Sequence, residues 1–89
     1  MGAPRVQVLS RHGCCLCDEM KGLVGRLADA GLCAWEEIDI DADDRLRSMY
    51  GMDVPVVMIN GRRAFKHRAT ETALRIRLNR ERYLERNGC

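Results

Sequence analysis

The spacing of apolar residues along the chain marks seven elements. Val6, Val8 and Leu9 give residues 5–9 the β-branched, apolar character of a short strand. A polar turn, Ser10-Arg11-His12-Gly13, follows it. Met20, Leu23, Val24 and Leu27 then recur at i, i+3, i+4 and i+7, one face of a helix running from Cys15 to about Ala30. Gly31 is placed to stop that helix as the residue after its last turn. Ala34 to Ile40 alternates around Trp35 and Ile38 and predicts a second strand. Asp41 is the expected cap of a short helix to Tyr50, ended by Gly51. The run Pro55-Val56-Val57-Met58-Ile59 is too short for a helix and predicts a buried strand with proline in first place.

Asn60-Gly61 is a strong hairpin signal, which makes Arg62–His67 a fourth strand antiparallel to the third. Thr70 is the expected cap of a last helix to about Arg86, closed by Asn87-Gly88. The order is β-α-β-α-β-β-α. A βαβ start implies parallel strands, the hairpin adds an antiparallel pair, and helices should cover both faces of a four-stranded mixed sheet.

The chain has 89 residues, 46% hydrophobic and 31% charged, which fits one folded domain over residues 1–89 and excludes an unfolded polyampholyte. No apolar run approaches the roughly 18 residues of a spanning helix, so no membrane partner is expected. Residues 1–5 hold no apolar signal region, and the expected location is the cytoplasm. Formal charge is +2 overall but unevenly spread: +2 over residues 1–28, −6 over 29–61 and +6 over 62–89. An acidic middle and a basic tail either attract each other or face different partners. Arg75, Arg77, Arg80, Arg82 and Arg86 are spread around the last helix, with Tyr83 its only aromatic residue. That spread reads as a solvated helix, and no nucleic-acid partner is expected.

Five cysteines carry the candidate chemistry: Cys14, Cys15, Cys17, Cys33 and Cys89. Cys14 and Cys17 form a C-x-x-C pair where the first strand turns into the first helix, and residues three apart share a helix face. Cys14 would sit at the helix N-terminus, where unpaired N–H groups and the dipole favour a thiolate nucleophile. Cys17, one turn in, is the expected resolving thiol, which attacks Cys14 in a mixed disulfide and frees the reduced product. Cys15 is read as a spectator thiol, Cys33 as a small buried hydrophobe, and Cys89 as a terminal residue without function. His12 is either a cation that supports a Cys14 thiolate or a solvated loop residue. Trp35 reads as core packing, and Asp18 and Glu19 as favourable first-turn charges.

This succession, with Cys14-Cys15-Leu16-Cys17 and Asp53-Val54-Pro55 on the right elements, resembles the thioredoxin-like fold in its short, glutaredoxin-like form over about residues 5–86. The chain looks most like small bacterial glutaredoxin-like proteins. The resemblance implies an α/β, thioredoxin-like fold of glutaredoxin size. It implies that Pro55 is cis beside the C-x-x-C, and that the Val54 backbone offers its N–H and C=O to substrate or glutathione. Arg11 holds the place of a basic residue that contacts a glutathione carboxylate. The residues between the cysteines, Cys15-Leu16, differ from the Pro-Tyr or Gly-Phe of typical glutaredoxins. The Gly-Gly and acidic pair that grips the glutathione amine is not reproduced by Arg62 to Arg68 or by Ala69-Thr70-Glu71.

The reading is therefore a glutaredoxin-like thiol–disulfide oxidoreductase, an enzyme with Cys14 as nucleophile and Cys17 as resolving residue. It is expected to act as a monomer on protein disulfides or glutathione mixed disulfides. No bound cofactor or resident metal is expected, and glutathione is the expected co-substrate. Two alternatives stay open: a metal or iron–sulfur cluster carrier using the same cysteines, or a redox-inactive binding module on the thioredoxin fold.

Overall fold

The computed structural model describes the backbone of residues 3–86 and the side chains of residues 3–82. Its elements follow in the order β1 (Arg5–Ser10), α1 (Cys15–Asp29), β2 (Ala34–Asp39), a 3-10 turn (Ile40–Ala42), α2 (Asp44–Tyr50), β3 (Val56–Ile59), β4 (Arg62–Lys66) and α3 (Glu71–Arg86). The strands lie side by side as β2-β1-β3-β4. β1 runs parallel to β2, from Arg5 opposite Ala34 to Ser10 opposite Asp39. It runs antiparallel to β3, with Leu9 opposite Val56. The β3–β4 hairpin turns on Asn60 (φ 51°) and Gly61 (φ 83°), the paired positive angles that Asn-Gly adopts at low cost. A bulge after Val57 moves the partner of Met58 to Arg63 and leaves Ala64 as the extra residue on β4.

Alternation along the strands divides the core in two. Val6, Val8, Val57 and Ile59 face Met20, Val24 and Leu27 of α1 and Leu74 and Leu78 of α3. On the opposite face Leu9, Ile40 and Val56 pack with Ile38, Leu46, Tyr50, Val54 and Met58. Helices therefore cover both sides of the mixed sheet, as the sequence pattern implies. Trp35 is half-buried against the larger core, above Gly25, where an added Cβ would lie 3.7 Å from its ring. Cys33 is buried in the same core, and burial pushes its thiol pKa up.

The helix ends show which local signals act. At the end of α1, Gly31 adopts φ 82°, its N–H donates to Ala28 O at 2.9 Å, and the Leu32 N–H donates to Leu27 O at 3.0 Å. That pair of bonds is the Schellman arrangement, and glycine bears its positive φ without a Cβ penalty. Thr70 caps α3 as expected, its Oγ1 accepting the Ala73 N–H at 3.0 Å. Asn87-Gly88, the expected close of that helix, and Cys89 lie outside the described residues.

One expectation is corrected around α2. Asp41 is not its cap. The chain first makes the 3-10 turn, begun by Asp39, whose carboxylate accepts the Asp41 N–H at 2.9 Å. Asp43 then caps α2 from an extended conformation, accepting the N–H groups of Arg45 at 2.8 Å and Leu46 at 3.3 Å. The Asp41 carboxylate is turned to Arg11 instead. Gly51 does end α2, but in the right-handed region at φ −53°. A Cβ there would meet Arg47 O at 2.6 Å, so close approach rather than a left-handed turn calls for glycine. The strand boundaries also move by one residue: Ile40 begins the 3-10 turn, Pro55 precedes β3, and His67, at φ 64°, has left β4.

The corrected cap is testable. Asp43→Ala should destabilise the protein by about 1 kcal/mol, because two N–H groups of α2 lose their acceptor. Asp41→Ala, which breaks only an exposed ion pair, should cost less, about 0–1 kcal/mol. Urea unfolding of the two variants checks this, and a larger loss for Asp41→Ala would contradict the assignment.

Candidate functional site

The sheet register brings the functional candidates to one end of the molecule. β1 and β2 both finish there, at Ser10 and Asp39, and β3 begins there, with Leu9 opposite Val56. The residues just beyond these ends are the Arg11–Cys14 turn, the 3-10 turn and Val54-Pro55. The hairpin returns β4 to the same end, with Lys66 opposite Val56.

Cys14 occupies the N-cap position of α1, in the extended conformation (φ −99°, ψ 112°) that a cap requires. Its Sγ accepts the Cys17 backbone N–H at 3.2 Å, and its C=O accepts the Asp18 N–H at 3.0 Å. The sulfur thus takes the role that serine or aspartate plays at most helix starts. Gly13, at φ 77°, makes the turn that delivers it. Cys14 is partly exposed, Cys15 is exposed and Cys17 is buried, and all three are free thiols.

Cys17 has no exposed surface, and its thiol pKa is pushed up from 9.0 to about 11. Burial is the largest cause, because it penalises the anion. A hydrogen bond with the Cys14 side chain adds to the rise. A hydrogen bond from the Arg11 backbone and the charge of Lys21 act in the opposite direction. The pair is asymmetric: an accessible sulfur at the helix N-terminus and a buried, protonated one behind it. Such a pair is consistent with thiol redox chemistry.

Val54-Pro55 is a cis peptide bond, as the resemblance implies. Pro55 is buried, Val54 is half-buried in the smaller core, and Pro55 O accepts the His67 N–H at 2.8 Å. That bond ties the segment before β3 to the end of β4. The His67 ring nitrogen Nε2 lies 3.2 Å from Met52 O and holds the preceding loop from the same side. Asp53 sits between Arg63, at 3.8 Å, and Lys66, at 3.9 Å, one place where the acidic middle of the sequence meets its basic tail.

Arg11 stands at this end too, but its guanidinium is engaged within the chain. Nη2 lies 3.0 Å from Asp41 Oδ1, Nε 3.3 Å from Asp41 Oδ2, and Nη1 3.4 Å from Gly51 O. One side chain therefore links the turn before Cys14, the 3-10 turn and the end of α2. His12 is exposed. Among the described residues, no three His, Cys, Asp or Glu side chains gather as a group that could hold a metal ion.

Sequence reasoning missed Lys21, Glu37 and Ser10. Lys21 Nζ donates to Glu37 Oε2 at 2.8 Å and lies 3.4 Å from Asp18. The buried Ser10 hydroxyl donates to the same Glu37 oxygen at 2.8 Å. The lysine pKa is raised, chiefly by its hydrogen bond to Glu37, and that of Glu37 is lowered, chiefly by Lys21. Of these partners only Asp18 and Lys21, three residues apart on one helix, are linked by local spacing.

No described helix is long and apolar enough to cross a membrane. A search of curated proteins finds no match. Among solved structures, a mutant thioredoxin from Halobacterium salinarum is similar, with TM-score 0.68 and 23% identity over 89% of this chain and 74% of that one. The thioredoxin of Fasciola hepatica has TM-score 0.60 and 20% identity over 89% and 81%. At these identities the two thioredoxins show a shared fold. A structural-genomics target protein from X. campestris has TM-score 0.68 and 32% identity over 84% of this chain and 96% of its own. The model of the glutaredoxin-like domain matches residues 5–79, nearly the whole of the sheet and its helices. This chain, with its thioredoxin-like fold, therefore belongs to the glutaredoxin-like domain family (DUF836).

Proposed function

We propose that the protein is a dithiol thiol–disulfide oxidoreductase. The observation that supports this best is the sulfur cap of α1, with the nucleophile-type Cys14 at the mouth and Cys17 buried and protonated one turn behind. Cys14, as thiolate, attacks one sulfur of a substrate disulfide, and the other sulfur leaves as a thiol after taking up a proton. The mixed disulfide joins Cys14 to the substrate. Cys17 then loses its proton and attacks Cys14 Sγ. The substrate's second sulfur departs and is protonated, and a Cys14–Cys17 disulfide remains. Two electrons have passed to the substrate, and a donor thiol must return them.

The substrates proposed are protein disulfides and glutathione mixed disulfides, with glutathione as the donor thiol, no bound cofactor and a cytoplasmic location. The Val54 backbone beside cis Pro55 is the edge on which the substrate chain would pair. Arg11 would meet a glutathione carboxylate only in competition with Asp41, which holds its guanidinium at 3.0 Å. The protein acts as a monomer, without nucleic acid or membrane. Metal carriage and redox-inactive binding are the readings that failure of this chemistry would favour.

Mixing reduced protein with a disulfide-bonded peptide, quenching with acid and mapping thiols by mass spectrometry tests the roles. Wild type should pass through a Cys14–peptide adduct to the Cys14–Cys17 disulfide. Cys17→Ser should accumulate the adduct, and Cys14→Ser should form neither species. Wild-type turnover by Cys14→Ser would contradict the assignment.

The pH behaviour of Cys17 is a second test. A thiol raised to about 11 is protonated and neutral throughout the neutral range. Only about one Cys17 in ten thousand is then a thiolate at pH 7, rising about tenfold with each pH unit. Iodoacetamide should therefore modify Cys14 and Cys15 in the reduced protein at pH 7 and leave Cys17 unmodified, with Cys17 labelling rising steeply above pH 9. Equal labelling of Cys14 and Cys17 at pH 7 would contradict this.

A further inference from the structure

The resolving step needs an ionised Cys17, yet Cys17 is the sulfur that burial holds in its protonated form. One cation is fixed close to it. Lys21 lies one helical turn beyond Cys17 on the same face of α1, and its chain leans toward the sheet. Its ammonium is held at 2.8 Å by Glu37 of β2 and at 3.4 Å by Asp18 of its own helix. Glu37 is fixed in turn by the buried hydroxyl of Ser10, the last residue of β1, at 2.8 Å. Register explains the meeting. Val8 lies opposite Glu37 and faces α1, so Glu37 and Ser10 stand on the face that α1 covers.

From this geometry we infer that Lys21, tethered by Glu37 and Ser10, is a positioning residue that supplies a fixed positive charge to Cys17 during the resolving step. The inference rests on the dithiol reading proposed above. Lys21 acts as a charge and not as a proton carrier. Its own pKa is raised and that of Glu37 lowered, so the pair stays ionised through neutral pH. The Lys21 charge also works against the burial that keeps Cys17 protonated. The Cys17 proton passes to water and the departing substrate sulfur takes one up, so the step consumes no further oxidant or reductant.

Other charges near the ammonium come from each neighbouring element. An open cleft of about 500 Å³ at this end of α1 is lined by Asp18 and Lys21 of α1, Glu37 and Asp39 of β2, and Arg11 and His12 of the turn after β1. Three carboxylates border the cleft. Without Lys21 their sign would oppose an anion at Cys17, so losing its charge should be felt more than losing a lone surface lysine. The side chain of Lys21 is one-quarter exposed, so its attraction is screened less than that of a free surface charge.

The test is the rate at which the Cys14 mixed disulfide closes to the Cys14–Cys17 disulfide. Reduced protein is mixed with dithiobis(nitrobenzoate) at pH 7 and quenched with acid. Adduct and disulfide are then assigned to cysteines by peptide fragmentation. Lys21→Gln and Lys21→Met should slow closure about three- to tenfold, while Lys21→Arg closes within about twofold of wild type. The range is wide because a weaker acid gives fewer thiolates but more nucleophilic ones. Formation of the Cys14 adduct should be within about twofold of wild type in all three variants. A helix merely loosened by substitution would not be rescued by arginine alone. Circular dichroism confirms folding, and the two charge-free variants give independent readings. Closure at the wild-type rate in both, or arginine as slow as glutamine, overturns the inference while the dithiol reading stands. Failure of wild type itself to close the Cys14–Cys17 bond overturns that reading and the inference with it.

Discussion

The whole site depends on a sulfur serving as a helix cap. A helix start leaves its first N–H groups without partners, and an oxygen-bearing side chain ordinarily supplies the missing acceptor. Here Cys14 Sγ accepts the Cys17 N–H at 3.2 Å. The contact that begins α1 is therefore also the contact that aims the proposed nucleophile. It puts Cys14 at the surface end of the helix and, three residues later, sends Cys17 down into the core. Helix periodicity keeps both sulfurs on one face, and their depth along the axis, Cys14 at the mouth and Cys17 one turn in, leaves one partly exposed and buries the other. The chemical asymmetry of the pair follows from that difference in depth.

The sheet does the rest of the positioning. Parallel pairing of β1 with β2 and antiparallel pairing with β3 bring three chain reversals to one end. Each contributes something different: the cysteine turn, the 3-10 turn with Asp41, and cis Val54-Pro55. Arg11 fastens the first two together and reaches Gly51 at the end of α2. His67 closes the far side through Pro55 O and Met52 O. The Cys14 sulfur thus stands at the same end of the sheet as these braced loops, above a core packed on both faces.

What could be read from the sequence was whatever a short segment decides alone. The i, i+3, i+4, i+7 spacing from Met20 to Leu27, Gly31 at a left-handed stop, Asn60-Gly61 at the hairpin and Thr70 at a cap each act over a few residues, and the structure has each in that role. The acidic stretch around α2 defeated the same logic. Asp39, Asp41, Asp43 and Asp44 are all competent caps. The choice of Asp43 depended on where the sheet releases the chain and on Arg11, thirty positions earlier, claiming Asp41. Lys21, Glu37 and Ser10 were hidden for a related reason. They meet only because β1 and β2 are parallel and α1 lies across them, and no local period announces such a meeting. The C-x-x-C pointed to the chemistry proposed for this site, but the Lys21–Glu37 pair came from tertiary structure.

The proposed chemistry requires Cys14 and Cys17 to exchange reversibly between dithiol and disulfide. The most direct measurement equilibrates the protein across glutathione redox buffers, alkylates the free thiols and weighs the products, with the modified cysteines located by fragmentation. A loss of two hydrogens confined to Cys14 and Cys17, their electrons passing to glutathione disulfide, is expected with a defined midpoint. Cys14 and Cys17 remaining reduced and unmodified across every buffer would contradict it.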